Sequence, residues 1–126
     1  MTLGIGTDLF EIKRMKIRLE KQPSFVQGVF TENEMNYCNQ FKNKAQKFAA
    51  RYAAKEAFLK ALGTGWRDGI TFKDIEITNN DLGKPDIRLS GISKKIADKL
   101  GVTEIHLSIS HTKELVIAFV TINNNK

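Results

Sequence analysis

Arg51, Lys55, Glu56 and Lys60 punctuate an alanine-rich run between Phe48 and Gly65. Side chains three or four positions apart share one side of a helix, so Glu56 falls beside Lys60, with Tyr52 and Leu59 close by. A carboxylate among cations, on a helix whose other faces look buried, can hold a metal and meet phosphate. The same stripe also fits a solvated face, with Glu56 and Lys60 forming an ion pair worth a few tenths of a kcal/mol.

Asp8 is the second carboxylate of interest. Aspartate is depleted in strands, yet Asp8 follows Gly4-Ile5-Gly6-Thr7 in an alternating, strand-like segment. Either it caps the helix that follows, or a rigid strand end presents it as a metal ligand. Together with Glu56 it would suit Mg²⁺, which takes one or two carboxylates, several waters and phosphate oxygens. Spacing alone does not bring the two together. Gly4 and Gly6 make no dinucleotide fingerprint, because they lie inside the strand and lack the third glycine before a helix.

Ser108-Ile109-Ser110-His111-Thr112 forms a third constellation. Its hydroxyls and imidazole, with Lys113 nearby, can bind phosphate, or they can serve as plain turn chemistry. A Ser-His-Asp hydrolase is disfavoured, since the serine has no nucleophile elbow. His106 and His111 fall on opposite faces of a continuing strand, which excludes a paired-histidine metal site.

These residues need elements to position them. Leu3, Ile5, Thr7 and Leu9 alternate and predict a strand. Ile12, Met15 and Leu19 recur at helical spacing from Glu11 to about Glu20, and Pro23 punctuates. Thr31 followed by Glu34 has capping-box spacing and predicts a short helix through about Asn39. The long helix runs from about Ala45 to Leu62 and stops at Gly63. Ile70–Ile77 and Ile87–Leu89 read as strands around an Asn79–Pro85 turn. Ile92, Ile96 and Leu100 mark a helix ended by Gly101. Ile105–Ser110 and Leu115–Ile122 form a hairpin about His111–Glu114, and the Asn-rich end, 123–126, reads as disordered. Elements mixed without regular alternation give an α+β class with a mainly antiparallel sheet against a long central helix.

The chain of 126 residues reads as one domain, 1–126. No apolar run reaches the roughly 18 residues of a membrane span, and the N-terminus carries no basic-then-apolar signal. A soluble, cytoplasmic protein is therefore expected. The lone Cys38 fits a reducing compartment. Twenty Lys and Arg against 14 acidic residues give a net charge of +6, which favours anionic partners. Without a nucleic-acid motif or aromatic-basic interleaving, nucleic acid is not among those expected, nor is a membrane.

Taken together, the segments resemble the holo-acyl-carrier-protein synthase family of small bacterial phosphopantetheinyl transferases. Gly4 to Asp8 followed by Glu11-Ile12-x-Arg14 looks like the family's opening motif. Phe48 to Gly65 resembles its central helix with a Gly-Thr-Gly ending. Lys73 to Glu76, Gly83-Lys84-Pro85 and Ser108 to Thr112 match three further motifs in order. Two positions depart from the pattern: Tyr52 stands where phenylalanine is usual, and Leu115 to Ala118 replaces Tyr-Ala-Val-Ala. Neither is expected to touch a proposed ligand.

The resemblance implies an α+β homotrimer with active sites in clefts between subunits. Its activity would be Mg²⁺-dependent transfer of 4′-phosphopantetheine from coenzyme A to a serine of apo acyl carrier protein, in fatty acid biosynthesis. Carried over residue by residue, Asp8 and Glu56 ligate Mg²⁺, and Glu56, directly or through a water, takes the serine proton. Lys60 contacts phosphate or stabilises the transition state. Arg51, Gly63, Ser110, His111 and Thr112 meet the nucleotide. Arg14, Arg18 and Lys13 dock the acidic carrier. Two rivals remain: the same chemistry on a polyketide or peptide-synthesis carrier, and a small basic binding module that uses the stripe only as surface.

Overall fold

A computed structural model describes residues 1–64 and 69–126; Gly65, which closes the Gly-Thr-Gly motif, lies outside the described residues. The opening alternation becomes strand β1 (Thr2–Glu11). It pairs antiparallel with β5 (Leu115–Asn123), which pairs antiparallel with β4 (Glu104–His111), giving the order β1-β5-β4. Strands β2 (Ile75–Asn79) and β3 (Pro85–Leu89) form a separate antiparallel pair. Helices α1 (Ile12–Lys21), α2 (Pro23–Val29), α3 (Glu32–Cys38), α4 (Lys44–Leu62) and α5 (Gly91–Leu100) complete the described α+β fold. No helix among the described residues is long and apolar enough to cross a membrane.

Helix α4 lies on the three-stranded sheet at backbone contact. Ala49, Ala53, Ala54, Ala57 and Ala61 are buried along it. Opposite them the strand carries glycine: a Cβ on Gly4 would stand 2.1 Å from the Ala61 carbonyl oxygen, and one on Gly6 2.0 Å from that of Ala57. Val116, Ala118, Val120 and Ile122 of β5 supply the adjoining core. Gly63 ends the helix at φ 78°, a left-handed conformation suited to glycine, and its N–H donates to the carbonyls of Leu59 and Lys60.

The capping box of α3 forms as its spacing predicts: Thr31 Oγ1 accepts from the Glu34 N–H, and Glu34 Oε1 accepts from the Thr31 N–H. Glu34 does more than cap. Lys55 Nζ donates to Glu34 Oε1 at 2.8 Å, and the Ile77 N–H donates to Glu34 Oε2 at 2.9 Å. Lys55 also donates to the carbonyls of Phe72 and Ile75. Both side chains are fully buried, so Lys55 leaves the charged stripe in which its spacing had placed it and fastens α4 to α3 and β2.

Several expectations change. The strand forecast for Ile70–Ile77 begins only at Ile75, and Phe72–Asp74 is a single 3-10 turn. Its carbonyls are spoken for: Lys55 takes that of Phe72, while Ser90 and Ser93 take that of Asp74. Pro23 begins α2 instead of merely interrupting the chain, since a first-turn position needs no N–H. The Asn-rich end is tied down. Asn123 closes β5, Asn124 exchanges backbone bonds with Met1, and the Asn125 N–H donates to Thr103 Oγ1.

The sheet face turned away from α4 carries an exposed apolar patch on β1 and β5. Ile5 and Leu9 of β1 and Ile117 and Phe119 of β5 are between 42 % and 61 % exposed.

Candidate active site

Asp8 sits inside β1, three residues before its end, on the face turned to α4. The N-cap of α1 is Glu11 and makes no side-chain capping bond, so Asp8 does not cap that helix. Instead Lys60 Nζ donates to Asp8 Oδ1 at 3.1 Å and to the Thr7 carbonyl at 2.9 Å. The Glu56–Lys60 ion pair of the solvated-face alternative gives way to this cross-element one, because Gly4 and Gly6 let α4 come so near to β1. Lys60 stays more than half exposed while Asp8 is mostly covered.

Glu56 lies on the same side of α4 and feels Asp8 directly. Burial pushes the Glu56 carboxyl above its ordinary value, the Tyr52 hydroxyl draws it partly back, and the Asp8 charge raises it again. Burial likewise raises Asp8, opposed by Lys60. Two partly buried carboxylates thus influence each other beside one ammonium. That donor set suits a hard dication that takes two carboxylates and completes its shell with water and phosphate oxygens. Among the described residues no group of three or more His, Cys, Asp or Glu side chains is placed to hold a metal, so a pair of carboxylates is the set on offer.

Helix α1 borders this pair. The Arg14 guanidinium stacks on Phe10 at 5.1 Å, and that of Arg18 on Phe25 at 4.4 Å. Stacking on rings restrains both guanidinium groups. Lys13 is exposed on the same helix.

The remaining candidates gather elsewhere. Arg51 and Glu56 project about 140° apart around α4, and His111 ends β4, the sheet edge opposite to β1. Arg51 and His111 line one cavity of about 170 Å³ with Gln46, Asn79, Gly83 and Pro85. Gln46 Nε2 and His111 Nδ1 lie 2.7 Å apart. Arg51 is 5 % exposed, stacks on Tyr37 at 4.2 Å and donates through one terminal nitrogen to Asn79 Oδ1, yet its Nε finds no partner among the described residues. Gln46 also lines a wider cavity of about 480 Å³, edged by Lys16, Lys42, Lys44 and Lys113. Ser110 alternates onto the outer sheet face beside Ile117, and Thr112 Oγ1 accepts from the N–H groups of Glu114 and Leu115, holding the hairpin turn. Within one chain, then, the carboxylates and Lys60 lie at the β1 edge of the sheet, and the cavity of Arg51 and His111 lies toward the β4 edge.

A family model described as the 4′-phosphopantetheinyl transferase superfamily matches residues 4–120. The chain belongs to this family. A holo-[acyl-carrier-protein] synthase of Solibacter usitatus is 42 % identical over 125 residues, covering 98 % of this chain and 100 % of the relative. Among solved members of the phosphopantetheinyl transferase fold, the holo-[acyl-carrier-protein] synthase of Neisseria meningitidis superposes with a TM-score of 0.89 at 34 % identity, over 98 % of this chain and 100 % of its own. That of Bacillus anthracis, solved in complex with CoA (3′,5′-ADP), gives a TM-score of 0.83 at 37 % identity over 99 % of both chains.

Against this transferase background, two side chains that sequence reasoning passed over acquire positions in the site. Gln46 joins the two cavities, and Asn79 holds Arg51. Tyr52, one turn before Glu56, packs its ring on Phe10, Phe25 and Phe72, and burial with the Glu56 charge pushes its phenol up to about 12. The i,i+4 spacing to Glu56 was the available signal. Val116, in the other departure, lines the cavity of Arg51 and His111.

Proposed function

We propose that this chain is a holo-[acyl-carrier-protein] synthase, joining the 4′-phosphopantetheine arm of coenzyme A to a serine hydroxyl of an apo acyl carrier protein. The serine oxygen attacks the β-phosphate, a new P–O bond forms, the pyrophosphate bond breaks, and adenosine 3′,5′-bisphosphate departs. The observation that carries the reading is the convergence of Asp8, Glu56 and Lys60 at one edge of the sheet, in a chain of this family.

Asp8 and Glu56 fit Mg²⁺ and would hold it, and the ion would supply charge neutralisation at the pyrophosphate and the leaving phosphate. Glu56, raised by burial and by Asp8, is suited to accept the serine proton directly or through a water. Lys60 is exposed enough to leave Asp8 for a phosphate oxygen. Arg51, with its unpartnered Nε, and His111 receive the nucleotide. Gly63, where no described atom lies within 4 Å of an added Cβ, would let backbone come near the substrate. Ser110 and Thr112 complete the nucleotide contacts. Arg14, Arg18 and Lys13 meet the acidic carrier, and such docking weakens with salt.

The two half-sites lie on opposite sheet edges, and the apolar face between them is bare. Both features support a homotrimer in which the carboxylate edge of one copy completes the nucleotide cavity of the next.

The test mixes the chain with coenzyme A, Mg²⁺ and several apo carriers and weighs each carrier by mass spectrometry. Addition of one phosphopantetheine is expected, and Asp8→Ala should abolish it while leaving the circular dichroism spectrum unchanged. An unmodified mass on every carrier would overturn the proposal.

A further inference from the structure

Arg51 is a buried cation without a counter-charge. It is 5 % exposed, and no carboxylate lies within ion-pair distance of it among the described residues. Buried charges are ordinarily paired, because leaving one alone is unfavourable. What holds Arg51 is neutral instead. Its guanidinium carbon lies 4.2 Å from the centre of the Tyr37 ring, and one terminal nitrogen donates to Asn79 Oδ1 at 2.9 Å. Its Nε has no hydrogen-bond partner among the described residues.

Asn79 can serve this bond only one way round. A guanidinium has donors and no acceptor, so the amide oxygen must face Arg51 and the amide nitrogen must face away. There Nδ2 donates to the Gly83 carbonyl at 3.0 Å. Gly83 is fixed in turn, at φ 85° with its N–H donating to the Asn80 carbonyl. Asn80 Oδ1 accepts from the N–H groups of Leu82 and Lys84. The β2–β3 turn thus aims one neutral side chain at the guanidinium. An aspartate would fill the same space and neutralise the cation, whereas asparagine restrains the guanidinium and leaves its charge intact. The cavity of about 170 Å³ that Arg51 lines with Asn79, Gly83 and Pro85 therefore keeps a positive charge for a ligand to match.

We infer that Asn79 is a positioning residue whose amide, braced on the β2–β3 turn, sets the plane of the Arg51 guanidinium while leaving its charge for an anionic group of the nucleotide. The inference rests on the function proposed above, in which Arg51 receives the nucleotide.

Binding of adenosine 3′,5′-bisphosphate to the full chain, measured by calorimetry without carrier, tests it. Asn79→Ala should weaken binding about fivefold. That loss should disappear in an Arg51→Gln background, since a residue acting through Arg51 has nothing left to act on. Asn79→Asp keeps an oxygen toward Arg51 and adds a charge, and should weaken binding at least about tenfold. In the transfer assay both Asn79 variants should raise the KM for coenzyme A and leave the carrier KM unchanged. Wild-type affinity in Asn79→Asp would overturn the inference. So would an Asn79→Ala loss that persists in full beside Arg51→Gln, which would make Asn79 a turn residue or a direct ligand contact. Wild-type protein that binds the bisphosphate yet modifies no carrier would instead count against the proposed function, whichever way the Asn79 variants turn out.

Discussion

Glu56 and Asp8 are carboxylates that the folded chain disfavours as anions. Burial leads in raising each above its ordinary value, 4.5 for Glu56 and 3.8 for Asp8. A raised folded pKa means the native state binds protons more tightly than the unfolded one. The stability this confers is complete below those ordinary values and is lost as pH rises through the higher folded ones. At neutral pH without metal the pair is therefore a burden, moderated by solvent because both groups are only half buried. Glu56→Gln should relieve part of it, raising the melting temperature of the metal-free protein at pH 7 by about 2–4 °C. The gain should shrink toward pH 4. Calorimetry at both pH values checks this, and a larger gain at acid pH would refute the account.

At the scale of elements, the contact between α4 and β1 is the decisive one. Gly6 has no space for a methyl group, since the atom in the way belongs to the helix backbone. Gly6→Ala should lose at least about 3 kcal/mol in urea unfolding; a loss under about 1 kcal/mol would show that the helix can back away. Much of this layer was legible beforehand. Alternation located β1, the Thr31–Glu34 spacing located α3, and alanines with a glycine stop located α4. The 3-10 turn was not, because its shape depends on a lysine from a different element claiming the carbonyls of Phe72 and Ile75. A buried ammonium and an exposed one look alike in a stripe of charges. Likewise Lys60 pairs with β1 rather than with Glu56, since only the fold brings residues so distant in sequence within reach.

The whole molecule places its two groups of candidate residues toward opposite edges of one sheet. Sequence motifs named residues from both without showing that a single chain keeps them apart, because a motif carries order along the chain and not sides of a sheet. If copies join through the bare apolar face, a charge at its centre should separate them. Phe119→Glu, at a residue 42 % exposed in the single chain, is expected to give monomers by light scattering and to lose transfer while keeping native secondary structure. A trimer that survives this change would place the interface elsewhere.

The glycines under α4 also set which parts of the molecule can yield. Elsewhere the spacing between layers depends on side chains, which can change rotamer and take up slack. Between β1 and α4, backbone rests on backbone at Gly4 and Gly6, leaving nothing soft to compress. The spacing of the backbones that carry Asp8 and Glu56 is thereby calibrated like a fixed gauge. The wider cavity beside Gln46, edged by long lysines, is bounded by side chains that can move aside.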